Sequence, residues 1–114
     1  MFHQFNLAIF LGNGNGTFQN RTLYSQPASW RCIPVDLNND GYPEVVSSNV
    51  NTSKTFCVFR NLGNGLFADR VSYPSAVNET MFAASGDLNN DGKNDLVFSC
   101  ANSKVIAVHI NTTP

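Results

Sequence analysis

Apolar positions along this chain come in short runs, not at helical spacing. Asn6-Leu7-Ala8-Ile9-Phe10-Leu11 is the first run, and Gly12-Asn13-Gly14-Asn15-Gly16 closes it. A short apolar run bounded by Asn-Gly steps predicts a strand that turns back on itself, because Asn and Gly readily adopt the positive φ of a tight hairpin. Thr17-Phe18 then opens a second strand reaching to about Ser25. The same unit returns as Phe56-Cys57-Val58-Phe59-Arg60, Asn61-Leu62-Gly63-Asn64-Gly65 and Leu66-Phe67, and runs on to Tyr73. Its first strand begins a third time at Val105-Ile106-Ala107-Val108-His109-Ile110. No helical periodicity competes with this pattern.

The recurrence has a fixed spacing. Gly14, Phe18 and Tyr24 match Gly63, Phe67 and Tyr73 at a constant offset of 49. Between these hairpins lie two further matching segments, Trp30-Arg31-Cys32-Ile33-Pro34-Val35 and Met81-Phe82-Ala83-Ala84-Ser85-Gly86, each leading into a polar loop and then an apolar pair (Val45-Val46, Leu96-Val97). A period near 50 with four strands per unit predicts all-β, propeller-like blades of four antiparallel strands. With the strands lettered A and B around the polar loop and C and D around the Gly-Asn-Gly turn, residues 1–27 supply C–D, 28–76 a complete A–B–C–D blade, and 77–114 A–B–C. Strand C is apolar on both faces in every copy, the pattern of a strand sandwiched between stacked sheets. Pro34 removes a donor from strand A, which fits an edge strand.

The polar loops carry the chemistry. They read Asp36-Leu37-Asn38-Asn39-Asp40-Gly41-Tyr42-Pro43-Glu44 and Asp87-Leu88-Asn89-Asn90-Asp91-Gly92-Lys93-Asn94-Asp95, with oxygen-bearing side chains at positions 1, 3, 5 and 9 and Gly at 6. A tight loop so rich in carboxylates repels itself unless something positive sits inside it, and a flexible cage of oxygens suits calcium. Gly at 6 turns the backbone so that position 7 can offer its carbonyl. The expected ligands are therefore Asp36, Asn38, Asp40, Tyr42 (carbonyl) and Glu44 in one loop, and Asp87, Asn89, Asp91, Lys93 (carbonyl) and Asp95 in the other. Glu44 has a longer arm than Asp95, so the first loop is expected to coordinate less ideally. A plain Asp-Gly hairpin needs no metal, but the duplication argues against that reading. An EF-hand fails too: position 12 is Ser47 or Phe98 instead of a bidentate Glu, and strands flank the loops where helices would be required.

Composition narrows the rest. Charged residues are 13% of the chain and the net charge is −1, so neither a basic nucleic-acid surface nor a polybasic membrane patch is expected. The longest apolar run is too short to span a bilayer, and Phe2 to Leu11 lacks the charged region and cleavage site of a signal peptide. Cys32, Cys57 and Cys100 form no CxxC and no cluster with histidine; each is expected to be buried and inert, with one disulfide still open. His3 and His109 have no recurring nucleophile or carboxylate beside them, so packed or surface roles are expected, not catalysis. Tyr24 and Tyr73 recur with the repeat and are expected to pack between blades; Trp30 does not recur and is expected to pack at a core or rim. Asn-x-Ser/Thr triplets at Asn15, Asn20, Asn51, Asn78 and Asn111 point toward an exported protein, as do loops suited to extracellular calcium.

An Asp-x-Asn-x-Asp-Gly loop that closes at position 9 directly into a strand resembles the calcium loops of FG-GAP/VCBS-type β-propeller repeats, the blades of integrin α-subunit heads. The likeness extends over nearly the whole chain, and Val35 departs from it where Gly86 keeps the small residue before the first Asp. The resemblance implies a non-enzymatic, calcium-rigidified scaffold with two Ca²⁺ sites, extracellular or at the cell surface, serving recognition of a protein or glycan. Two alternatives are a carbohydrate-binding lectin propeller and a non-catalytic region of a larger secreted enzyme. Because neither end has a polar cap, the chain is expected to be a fragment of a longer propeller or to associate with copies of itself.

Overall fold

The computed structural model describes residues 5–26, 29–49, 55–74, 82–100 and 105–112. Strands β1 (Phe5–Ile9), β2 (Thr22–Gln26), β3 (Ser29–Val35), β4 (Glu44–Asn49), β5 (Thr55–Phe59), β6 (Val71–Pro74), β7 (Phe82–Gly86), β8 (Asp95–Cys100) and β9 (Val105–His109) run through them. They form three antiparallel sheets in sequence order, β1-β2, β3-β4-β5-β6 and β7-β8-β9. The fold is all-β, and no helix occurs among the described residues.

Period-two alternation assigns the faces of the middle sheet. Val46 lies opposite Val58, and Val45 opposite Phe59, so the two sets of side chains point to opposite sides. On one side Val35, Val46 and Phe56 meet Ala83, Leu96 and Phe98 of the third sheet in one buried cluster. On the other, Cys57 and Phe59 meet Leu7 of the first, with Ile9, Tyr24, Val45 and Phe67 packed around them. Burying each of these large apolar side chains contributes about 1.5–3 kcal/mol, so the middle sheet is held from both sides by hydrophobic burial.

Directed polar contacts add to the packing. The Phe67 N–H donates to the Tyr24 hydroxyl at 2.9 Å, and the two rings meet edge to face with centroids 6.0 Å apart. Arg70 Nη1 donates to the Ser25 carbonyl at 2.7 Å. Between the second and third sheets Phe56, Phe98 and His109 form a ring cluster with centroid separations of 4.9 to 5.5 Å. His109 thus packs as an aromatic, one of the two roles expected of it.

Three expectations need correction. Strand D does not run unbroken from Thr17: Phe18 makes a single bridge to Gly12, and the strand resumes only at Thr22. Phe67 likewise bridges Asn61 before β6 begins at Val71, because in each unit strand D carries one residue more than strand C between the bridge and the regular ladder, a bulge that interrupts the pairing. Strand C is covered on both faces only in β5. Phe10 in the first unit is exposed, as are Ile106, Val108 and Ile110 in the third, since no sheet among the described residues lies against those faces. Finally, Cys32 is exposed while Cys57 is buried. Cys32 lies opposite Ser47 at the edge strand, where cover is incomplete. The side chains of Cys100 and Trp30, and residues His3, Asn51 and Asn78, lie outside the described residues.

Candidate metal centre

The two polar loops connect β3 to β4 and β7 to β8, and their backbones repeat each other. Position 4 is left-handed in both (Asn39 φ 59°, Asn90 φ 60°), as is position 6 (Gly41 and Gly92, φ 83°). Asn tolerates that region among non-glycine residues, and Gly enters it without steric cost. The double reversal folds each loop onto its own first carboxylate. Asp36 accepts from the N–H groups of Asp40 (3.3 Å) and Gly41 (3.0 Å). Asp87 does the same with Asp91 (3.1 Å) and Gly92 (2.8 Å). The carboxylates at position 5 then accept from position 7: Tyr42 N–H to Asp40 at 2.9 Å, and Lys93 N–H to Asp91 at 3.0 Å.

Position 9 is the buried wall of each loop. Glu44 is 3% exposed and Asp95 fully buried. Asp95 accepts from Leu88 N–H and Asn111 N–H, both at 2.8 Å. Glu44 makes the same two bonds, to Leu37 N–H at 3.1 Å and Asn61 N–H at 3.2 Å. The extra methylene of Glu44 is thus absorbed, at the cost of longer contacts. The N–H of Asn111 foremost, then that of Leu88, with Asn89 adding to them, holds the Asp95 carboxyl below the usual carboxylate range against the opposing effect of burial.

The geometry brings together the carboxylates expected as ligands. Oxygens of Asp36, Asp40 and Glu44 lie within 4.8 Å of one another, as do those of Asp87, Asp91 and Asp95. In the second loop the Asn89 amide sits against these carboxylates, its Nδ2 donating to Asp87 Oδ1 at 3.3 Å and to the Asp91 oxygens at 2.9 and 3.3 Å. With a cation between the carboxylates, the same amide could turn its oxygen inward and join them as a ligand. Asn38 is exposed at the matching place. The Tyr42 side chain is about half exposed and lies beside Gly63, where a Cβ would come 3.6 Å from its ring.

Sequence reasoning passed over the supporting amides. Asn61 Nδ2 donates to the Pro43 carbonyl at 3.0 Å, and Asn111 Nδ2 to the Asn94 carbonyl at 3.0 Å, so each pins position 8 of its own loop. The signal was present: Asn61 and Asn111 both follow a strand C. As a glycosylation triplet, Asn111 is preoccupied, because its Nδ2 also donates to the Leu37 carbonyl at 2.7 Å.

Comparison with known proteins matches this architecture. Residues 4–47 and 36–98 each match the profile of an FG-GAP-like repeat. A T-cell immunomodulatory protein homolog from Plasmodium yoelii yoelii is 34% identical over 80 residues, a match covering 60% of this chain and 11% of that protein. The chain therefore corresponds to about a tenth of that relative's length. No solved structure matches.

Proposed function

The chain belongs to the FG-GAP-like repeat family, and on that premise we propose that its two loops bind structural Ca²⁺ in a non-enzymatic propeller-type scaffold. The carrying observation is the pair of matching carboxylate clusters, Asp36, Asp40 and Glu44 in one loop and Asp87, Asp91 and Asp95 in the other, each with its oxygens within 4.8 Å of one another, an arrangement that a hard cation would stabilise. In the second loop the donor set is Asp87, Asn89, Asp91, Asp95 and the Lys93 carbonyl. In the first it is Asp36, Asn38, Asp40, Glu44 and the Tyr42 carbonyl. Calcium would draw the three carboxylates of each loop together and so fix the entry to β4 or β8. Its work is mechanical, and recognition of a protein or glycan is left to the faces and rims that the rigid hairpins present. An extracellular or cell-surface setting supplies the calcium that such exposed loops need.

The test is a thermal melt of the full chain in calcium and in chelator. Saturation at 100 times Kd stabilises by about 2.7 kcal/mol per independent site. An unchanged midpoint in a folded sample would remove the structural-metal reading.

A lectin reading has one observation in its favour. The groove between the second and third sheets is lined by Phe56 and the exposed Tyr73 beside the polar side chains of Arg60, Asp69 and Asn111. An aromatic platform next to hydrogen-bonding groups suits a sugar ring, and binding on a glycan array that is lost in Tyr73→Ala would favour it.

A further inference from the structure

The two loops touch through side-chain amides. Asn94 Nδ2 of the second loop donates to the Asp36 carbonyl of the first at 3.1 Å. Asn111 Nδ2 donates to the Leu37 carbonyl at 2.7 Å. In the reverse direction Asn39 Nδ2 donates to the Gly92 carbonyl at 3.1 Å. Each bond runs from a side-chain amide on one sheet to the main chain of the loop on the neighbouring sheet. They therefore fix backbone, and at positions that matter: Asp36 and Leu37 open the first loop, and Gly92 sits at the left-handed turn of the second.

These amides are themselves tied to the ligands of their own loop. Asn94 directly precedes Asp95. Asn111 binds the Asp95 carboxylate through its N–H and the Asn94 carbonyl through its Nδ2. Asn39 lies between Asn38 and Asp40, two of the first loop's donors. Ordering either loop thus orders the donors that hold the other.

We infer that the two loops form one coupled unit in which Asn39, Asn94 and Asn111 transmit order between them, so that calcium binds the pair with positive cooperativity. The inference rests on the calcium reading above. An empty loop holds three carboxylates that repel one another, and it loosens. Binding the first ion bears the ordering cost of its own loop and part of its neighbour's, so the second ion binds with less left to order. Charge acts the other way, since a bound cation lowers the attraction for the next. The loops are exposed, however, and at physiological salt fields between exposed charges fade beyond about 8 Å. The hydrogen-bonded coupling is not screened in this way, which favours positive cooperativity at that salt. Coupling is reciprocal, so each site must raise the affinity of the other by the same factor.

The experiment is calorimetric titration of the full chain with calcium chloride at 0.15 M salt, for the natural protein, for Asp40→Ala and Asp91→Ala (one site each), and for Asn94→Ala/Asn111→Ala. In the natural protein, filling one site is expected to raise the other's affinity by about 5-fold or more, within the usual range for coupled sites. The lone sites of Asp40→Ala and Asp91→Ala then bind more weakly than either does with its neighbour filled. In the double amide variant both sites persist but their coupling falls, with the Asn39 bond to the Gly92 carbonyl left between the loops. Hydrogen exchange gives a second readout: in Asp40→Ala, calcium in the second loop should slow exchange of the Leu37 N–H in the first. Two independent events in the natural protein, or undiminished cooperativity in the amide variant, would overturn the coupling while leaving the calcium reading intact. Absence of any calcium binding would overturn both.

Discussion

Replacing Phe98 by Ala probes how the sheets are joined. Phe98 is fully buried, lies between Ala83 and Ala107 in register, and touches rings on either side. Its centroid is 4.9 Å from Phe56 and 5.5 Å from His109. Truncating a buried Phe costs about 3–5 kcal/mol through lost burial and the cavity left behind, and favourable ring pairs account for about 0.5–1.5 kcal/mol each of such losses. Whole domains are stable by only about 5–15 kcal/mol, so this one change removes a large share. The loss should also be local. In a stack of repeats stability divides into units and nearest-neighbour interfaces, and Phe98 belongs to the interface between the second and third sheets. Hydrogen exchange in urea should therefore show β7, β8 and β9 losing protection first in Phe98→Ala, while β1 and β2 stay coupled to the middle sheet. Phe59→Ala, at the opposite interface, should release β1 and β2 instead. A destabilisation below about 1 kcal/mol for Phe98→Ala, or uniform loss of protection in both variants, would refute the division into two separate interfaces.

Tyr24→Phe should keep the ring contacts and orphan the Phe67 N–H, costing about 1–3 kcal/mol in a urea titration. Because the folded protein holds Asp95 below the ordinary carboxylate range, that group stabilises the fold above its unfolded pKa and loses its contribution as pH falls through the lowered folded value. Melting points measured from neutral to acid pH in chelator should accordingly fall on the acid side, with a shallower slope in Asp95→Asn. The exposed apolar residues at the two ends of the stack, Phe10 and Leu23 at one and Ile106 and Val108 at the other, should drive association of the isolated chain. Light scattering should show species larger than a monomer at micromolar concentration, reduced by Ile106→Lys/Val108→Lys.

Much of this was legible in the residues because the repeat states it twice. Leu7 and Phe56 fall at matching strand positions, 49 residues apart, and both are buried, and the Gly-Asn-Gly turns place Gly14, Gly16, Gly63 and Gly65 at positive φ. The carboxylate spacing of each loop likewise translated directly into a cluster, since all three acids lie within nine residues of one another. What escaped was whatever depends on how neighbouring sheets sit together. Asn111 and Leu37 are 74 residues apart, and no local pattern brings them into contact. The break in strand D after Phe18 is a bulge, with Gln19, Asn20 and Arg21 set against Phe10 and Leu11, and the polar run Gln19 to Arg21 carries no alternation that would place the extra residue.

The bond between Tyr24 and Phe67 N–H has a bearing on how such chains grow. It addresses a main-chain group, which every residue but proline possesses, so the partner position is free to vary while the joint survives. Tyr73, stacked on Phe56 and exposed, carries the same phenol at the next step of the repeat. A joint of this kind works like a standard coupling: each unit brings the plug, and any copy of the unit brings the socket. Duplication of a single unit then creates a compatible neighbour at once, without waiting for matching substitutions, and lengthening the array becomes an easy genetic step while the side chains at its rims diverge.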